Sequence, residues 1–141
     1  MSRPPFAQLG VWRQALRLAK AVYRATWRFP AEEKSGLTAT LRRTAAGIGA
    51  KIADAAGRDD RAALTKALED GRGSLREIVS YLTLAERLRF TNRFRTHRLR
   101  LKITRLDRRL RSLHDELVES EESAMEQPSG VKPRIKLRRA A

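Results

Sequence analysis

Cysteine is absent from the 141-residue chain, which excludes a disulfide framework and any thiolate metal site. Aromatic residues make up only 6%. The apolar material is therefore mostly Leu and Ala, which favours helices. No run of 18 apolar residues occurs, so no segment reads as a transmembrane helix. Met1 to Leu9 has neither an apolar stretch nor a cleavage signal. The expectation is a soluble, cytoplasmic protein with no membrane role. Strand-like alternation is missing too, and with it any strand-borne Gly-rich phosphate loop.

Acids are scarce where bases are dense. The formal net charge is +15, and 24 of the 31 basic residues are arginine. Residues 1–30 carry six bases and no acid, and residues 91–120 carry nine bases against four acids. Between Arg87 and Arg111 eleven bases face one acid, Asp107. Like charges at i,i+4 repel, so a solvated helix face normally mixes signs. Such a surface calls for an external anion, and guanidinium groups suit phosphate.

Apolar residues recur at spacings of three and four in four stretches. The first seam reads Leu9, Trp12, Leu16, Ala19, Tyr23 and Thr26, with Pro30 stopping it. The second reads Leu41, Ala45, Ile48, Ile52 and Ala55, with Gly57 as a left-handed cap. The third reads Leu64, Leu68, Gly71, Leu75, Ile78, Leu82 and Ala85, opened by Asp59 or Asp60. The fourth reads Leu99, Ile103, Leu106, Leu110, Leu113 and Leu117, opened by Thr91 or Asn92. Short links predict an all-α, antiparallel up-and-down four-helix bundle over residues 1–120. Residues 121–141 have no seam and read as a flexible tail with a basic end, Lys132 to Arg139.

The first helix has a second apolar flank: Ala15, Leu18, Val22 and Ala25. An apolar arc about 160° wide exceeds what one core usually needs. This flank is the expected interface with another subunit. In the second helix, Gly47 and Gly49 suggest close backbone approach or a kink, since helical glycine costs roughly 1 kcal/mol against alanine.

These residues carry a resemblance. Val11-Trp12-Arg13-Gln14-Ala15, Phe29-Pro30 with Gly36-Leu37-Thr38, Leu41-Arg42-Arg43-Thr44-Ala45 and Gly73-Ser74-Leu75-Arg76-Glu77 occur in an order and spacing that matter together. The chain resembles the four-helix-bundle proteins encoded in intervening sequences of bacterial 23S ribosomal RNA genes. It departs from them at Gly47 to Ala55, where that family usually reads Ser-Ile-Pro-Ser-Asn-Ile-Ala-Glu-Gly. Its strong basicity is similar to that of related accessory proteins of diversity-generating retroelements. The resemblance implies a homo-oligomeric, pentameric ring without enzymatic activity that binds nucleic acid and a reverse transcriptase.

Side chains offer little for catalysis. A di-iron bundle needs Glu-x-x-His pairs, but Phe94 precedes His97 and Arg111 precedes His114 at that spacing. Glu69, Asp70, Glu77 and Glu86 read as ion partners of Lys66, Arg72, Arg76 and Arg89. No metal, cofactor or enzymatic activity is expected. The candidate nucleic-acid contacts are Arg89, Arg93, Arg95, Arg98, Arg100, Lys102, Arg105, Arg108, Arg109 and Arg111, with Arg13, Arg17, Lys20 and Arg24 on the first helix. Phe90 and Phe94 lie among them, either stacking on bases or closing the bundle end. The expected partner is RNA, or an RNA–DNA hybrid, held by its phosphates. The competing expectation is a structural or protein-adaptor ring with incidental charge.

Overall fold

The computed structural model describes residues 10–126. Four helices follow one another: α1 (Gly10–Thr26), α2 (Leu37–Gly57), α3 (Arg61–Arg87) and α4 (Arg93–Glu126), with a 3-10 turn at Ala31–Glu33. Among the described residues there is no strand. Each helix packs on its chain neighbours and α1 closes against α4, while the diagonal pairs do not meet. Neighbours run antiparallel. Arg42 near the start of α2 reaches Thr26 at the end of α1, and Arg72 and Glu69 of α3 meet Asp107 and His114 of α4. The expected four-helix bundle is the observed one.

Local chemistry sets the helix ends. Asp60 opens α3, its Oδ1 accepting from the backbone N–H groups of Ala62 and Ala63 at 3.0 and 3.4 Å. Asn92 does the same for α4 through the Arg95 N–H at 3.0 Å. Gly36 precedes α2 without a side chain to offer, and Glu33 supplies the missing acceptor to the Leu37 N–H at 3.0 Å. Gly57 is not the left-handed residue after α2. That conformation falls to Asp59, at φ 51°, since aspartate tolerates it better than most. At the end of α3 the Phe90 N–H reaches the Ala85 carbonyl and the Arg89 N–H the Glu86 carbonyl. This is a Schellman closure, with Arg89 left-handed at φ 62° where glycine is usual.

The predicted seams of α2 and α3 are buried in full, as is that of α4 except for half-buried Leu113. The α1 seam is shifted. Val11, Ala15, Leu18, Val22 and Thr26 are buried, while Leu16 and Tyr23 are exposed and Trp12 is half-buried. Both stripes are apolar, but Trp and Tyr carry polar tips that favour a boundary. The aliphatic stripe takes the interior instead. Ala15, Leu18 and Val22 are therefore core, and Ala25 packs half-buried against that core. They are not available as a subunit interface.

The helical glycines divide by environment. Gly49 is buried, and a Cβ there would lie 3.5–3.8 Å from Leu16, Ala15 and Trp12, whereas one on Gly47 would meet nothing within 4 Å. Helix α4 runs to Glu126, six residues past the expected domain end, and the rest of the expected tail lies outside the described residues. No helix among the described residues is long and apolar enough to cross a membrane.

Candidate nucleic-acid interface

The two base-rich stretches of the sequence meet in space. Because α1 packs on α4, Arg17, Lys20, Arg24 and Arg28 face Arg95, Arg98 and Lys102 across a groove of about 640 Å³. Ala21, Ala25 and Leu99 form its floor, Phe90 and Thr91 its end, and no acid lines it. On α4 the cations recur at the helical spacing, and Arg105 and Arg109 continue the same stripe past the groove. Arg28 was missed in the sequence because it lies just beyond the helix. Only the α1–α4 contact makes it part of the site.

The remaining candidates scatter. Arg89 sits exposed in the α3–α4 turn, Arg93, Arg108 and Arg111 are exposed outside the groove lining, and Arg13 is half-buried. Arg100 must be removed from the set. Its Nη2 donates to Glu86 Oε1 at 2.8 Å and to Thr83 Oγ1 at 3.3 Å, and its side chain is only 26% exposed. It fastens α4 to α3.

Glu86 also accepts from Thr96 Oγ1 at 2.8 Å. Burial pushes its carboxyl pKa up. The hydrogen bonds from Arg100 and Thr96 and the charges of Arg100 and Arg93 outweigh that, and the net shift is downward. Two acids of α3 thus bond across to α4, Glu86 to Arg100 and Glu69 to His114, each at 2.8 Å. The expected partners were Lys66, Arg72, Arg76 and Arg89, on or just after α3. Helix geometry explains the change, because residues on the packed flank face the neighbouring helix rather than their own.

Of the two roles expected of it, Phe90 takes the closing of the bundle end. Its ring lies 5.8 Å from that of Phe29 at 53°, closing the bundle end, and its edge borders the groove. Phe94 is 92% exposed.

Helix α4 is electrically divided. Residues 93–111 carry nine bases and one acid, while residues 112–126 carry six acids and no base. This opposes the helix macrodipole, which favours acids at the N-terminus and bases at the C-terminus by roughly 0.3–1 kcal/mol each. Intrinsic helix stability does not account for the distribution.

Residues 7–112 match the family described as 23S rRNA-intervening sequence protein. The chain belongs to that family. Among curated proteins, none matches the chain. The family match spans α1 to α3 and the basic part of α4, and it ends where the charge of α4 changes sign. Within the departing segment Gly47–Ala55, the intervening-sequence bundle keeps Ile48, Ile52 and Ala55 inward. Lys51 and Asp54 face solvent, with Asp54 paired to Arg58 one turn on at 3.0 Å. Of the departures in that segment, Lys51 and Asp54 lie on the outer surface, whereas Gly49 and Ala55 are buried.

Proposed function

We propose that this intervening-sequence family member is a non-enzymatic nucleic-acid-binding protein that holds phosphates in the α1–α4 groove. One observation carries the reading: seven cations, six from α1 and α4 and Arg28 just after α1, line one groove that contains no carboxylate. A phosphate backbone gains from all of them, whereas water and monovalent salt leave their mutual repulsion only screened. Phosphate contacts position a partner without reading its bases, so recognition is of backbone and shape. RNA or an RNA–DNA hybrid is the ligand, and the protein serves as an oligomeric, pentameric accessory subunit of a retroelement reverse transcriptase.

Polarisation titrations with labelled RNA test the groove. Six to ten phosphate contacts lose roughly 10³–10⁵ in affinity between 50 and 200 mM salt. A flat salt response would count against phosphate binding. A second reading, a protein-adaptor ring, draws on exposed Leu16, Phe94 and Leu101. Light scattering that finds an oligomer, alongside titrations that find no RNA or DNA bound, would favour it.

A further inference from the structure

At the Arg28 end of the groove lies a second cavity of about 490 Å³, lined by Tyr23, Arg24, Trp27, Arg28 and Arg42. Arg24 and Arg28 line both spaces, so the two adjoin. Trp27 follows the last residue of α1 and is 81% exposed. Arg42 is held as a plate: its guanidinium carbon lies 4.6 Å above the Tyr23 ring centre. Its Nε donates to Thr26 Oγ1 at 2.9 Å, and Nη2 lies 3.4 Å from the Tyr23 carbonyl. Thr26 is itself buried and donates to the Val22 carbonyl at 2.8 Å, so the anchor is rigid. No carboxylate among the described residues pairs with Arg42. The cavity thus joins a free indole face, a fixed guanidinium plane and three positive charges.

Packing within the bundle gives Trp27 nothing to do, and an apolar peptide would leave three arginines without a counter-charge. A nucleobase uses both features, because every base has a π-face and carries its own phosphates. We propose that this cavity receives an unpaired base, stacked on Trp27 and the Arg42 plane, with its flanking phosphates on Arg24 and Arg28. This rests on the groove reading and sharpens it. The ligand is a single strand, or a structured nucleic acid with an unpaired segment, and not a continuous duplex.

The test compares the full-length chain with Trp27→Ala and Trp27→Phe, titrated against a labelled single-stranded RNA and a duplex of the same sequence. Trp27→Ala is expected to weaken single-strand binding by about 5- to 150-fold, the loss of one stacked base. Duplex binding and the salt slope stay unchanged, and Trp27→Phe restores most of the affinity. Equal loss on both ligands, or no loss on the single strand, overturns the stacking site while leaving the groove intact. Displacement of the bound strand by adenosine monophosphate at equal concentration also overturns it, because the cavity would then be a free-nucleotide site. If the unmodified chain binds neither ligand, the groove reading falls first and the cavity with it.

Discussion

Arg72 Nε donates to Asp107 Oδ1 at 2.9 Å, so the one acid in the Arg87–Arg111 stretch is turned towards α3 and away from the groove. The acid that might have neutralised the basic run is occupied elsewhere. Both side chains are about a third exposed, at 31% and 38%, and such pairs contribute below about 1 kcal/mol. Asp107→Asn is expected to lower stability by less than about 1 kcal/mol in urea unfolding. Polyanion affinity should hold or rise slightly, since one negative charge is removed at the groove's back.

The same geometry ranks the arginines. Charge reversal at groove positions, Arg24→Glu with Arg98→Glu, is expected to abolish RNA binding with helix content unchanged by circular dichroism. Reversal at Arg93 and Arg111, outside the groove lining, should weaken binding only through long-range charge. Neutralising one groove cation should reduce the salt slope by about one. Equal losses for the two pairs would mean that the groove is not the binding surface.

Arg89 separates stability from function. It occupies a left-handed position at φ 62°, a conformation that costs a residue with a Cβ roughly 1–2 kcal/mol. Arg89→Gly is expected to raise stability by about 1 kcal/mol while lowering nucleic-acid affinity only slightly, through long-range charge, since Arg89 lies outside the groove lining. The two measurements, a denaturation midpoint and a titration, should move in opposite directions. Strain of this kind persists where a side chain is wanted for other reasons.

Glu86 predicts a pH dependence. Its folded-state pKa lies below the ordinary 4.5, so its contribution is fully present above that value and is lost as pH falls through the lowered one. Urea midpoints measured from about pH 6 down to about pH 3 should fall less steeply for Glu86→Gln than for the unmodified chain. At neutral pH the substitution leaves the partly buried Arg100 poorly matched, at a cost of about 1–3 kcal/mol.

Two glycines test the packing. Gly47 has open space where a Cβ would go, so Gly47→Ala should stabilise α2 by up to about 1 kcal/mol. At Gly71 a Cβ would sit 3.3 Å from Leu110 and 3.5 Å from Ile48. Gly71→Leu should therefore destabilise by about 1–3 kcal/mol through overpacking. Thermal melts distinguish the signs directly.

Much of this was legible in the chain. The seams of α2, α3 and α4 were readable because each is a single apolar stripe against polar flanks. The α1 seam was misread because its arc is apolar across two overlapping stripes. Periodicity cannot choose between Leu18 and Leu16, and only the demand for tip-free side chains in the interior does. The basic run of α4 was plain, but its subdivision was not. Whether Arg98 and Arg100 point to the groove or to Glu86 depends on which flank meets α1 and which meets α3. Arg42 needed tertiary contacts to acquire a role, and Arg28, four residues after Arg24, was passed over because α1 ends at Thr26.

The sign change along α4 sets a boundary on the ligand. From Arg95 to Arg109 the cationic stripe covers about 21 Å at 1.5 Å per residue. That is about six nucleotide steps at a stacked rise of roughly 3.4 Å each. Beyond Ser112 the six acids repel any strand that runs further. Each chain therefore presents a short cationic stripe with an acidic fence at one end, which limits how far along α4 the proposed phosphate contacts can extend.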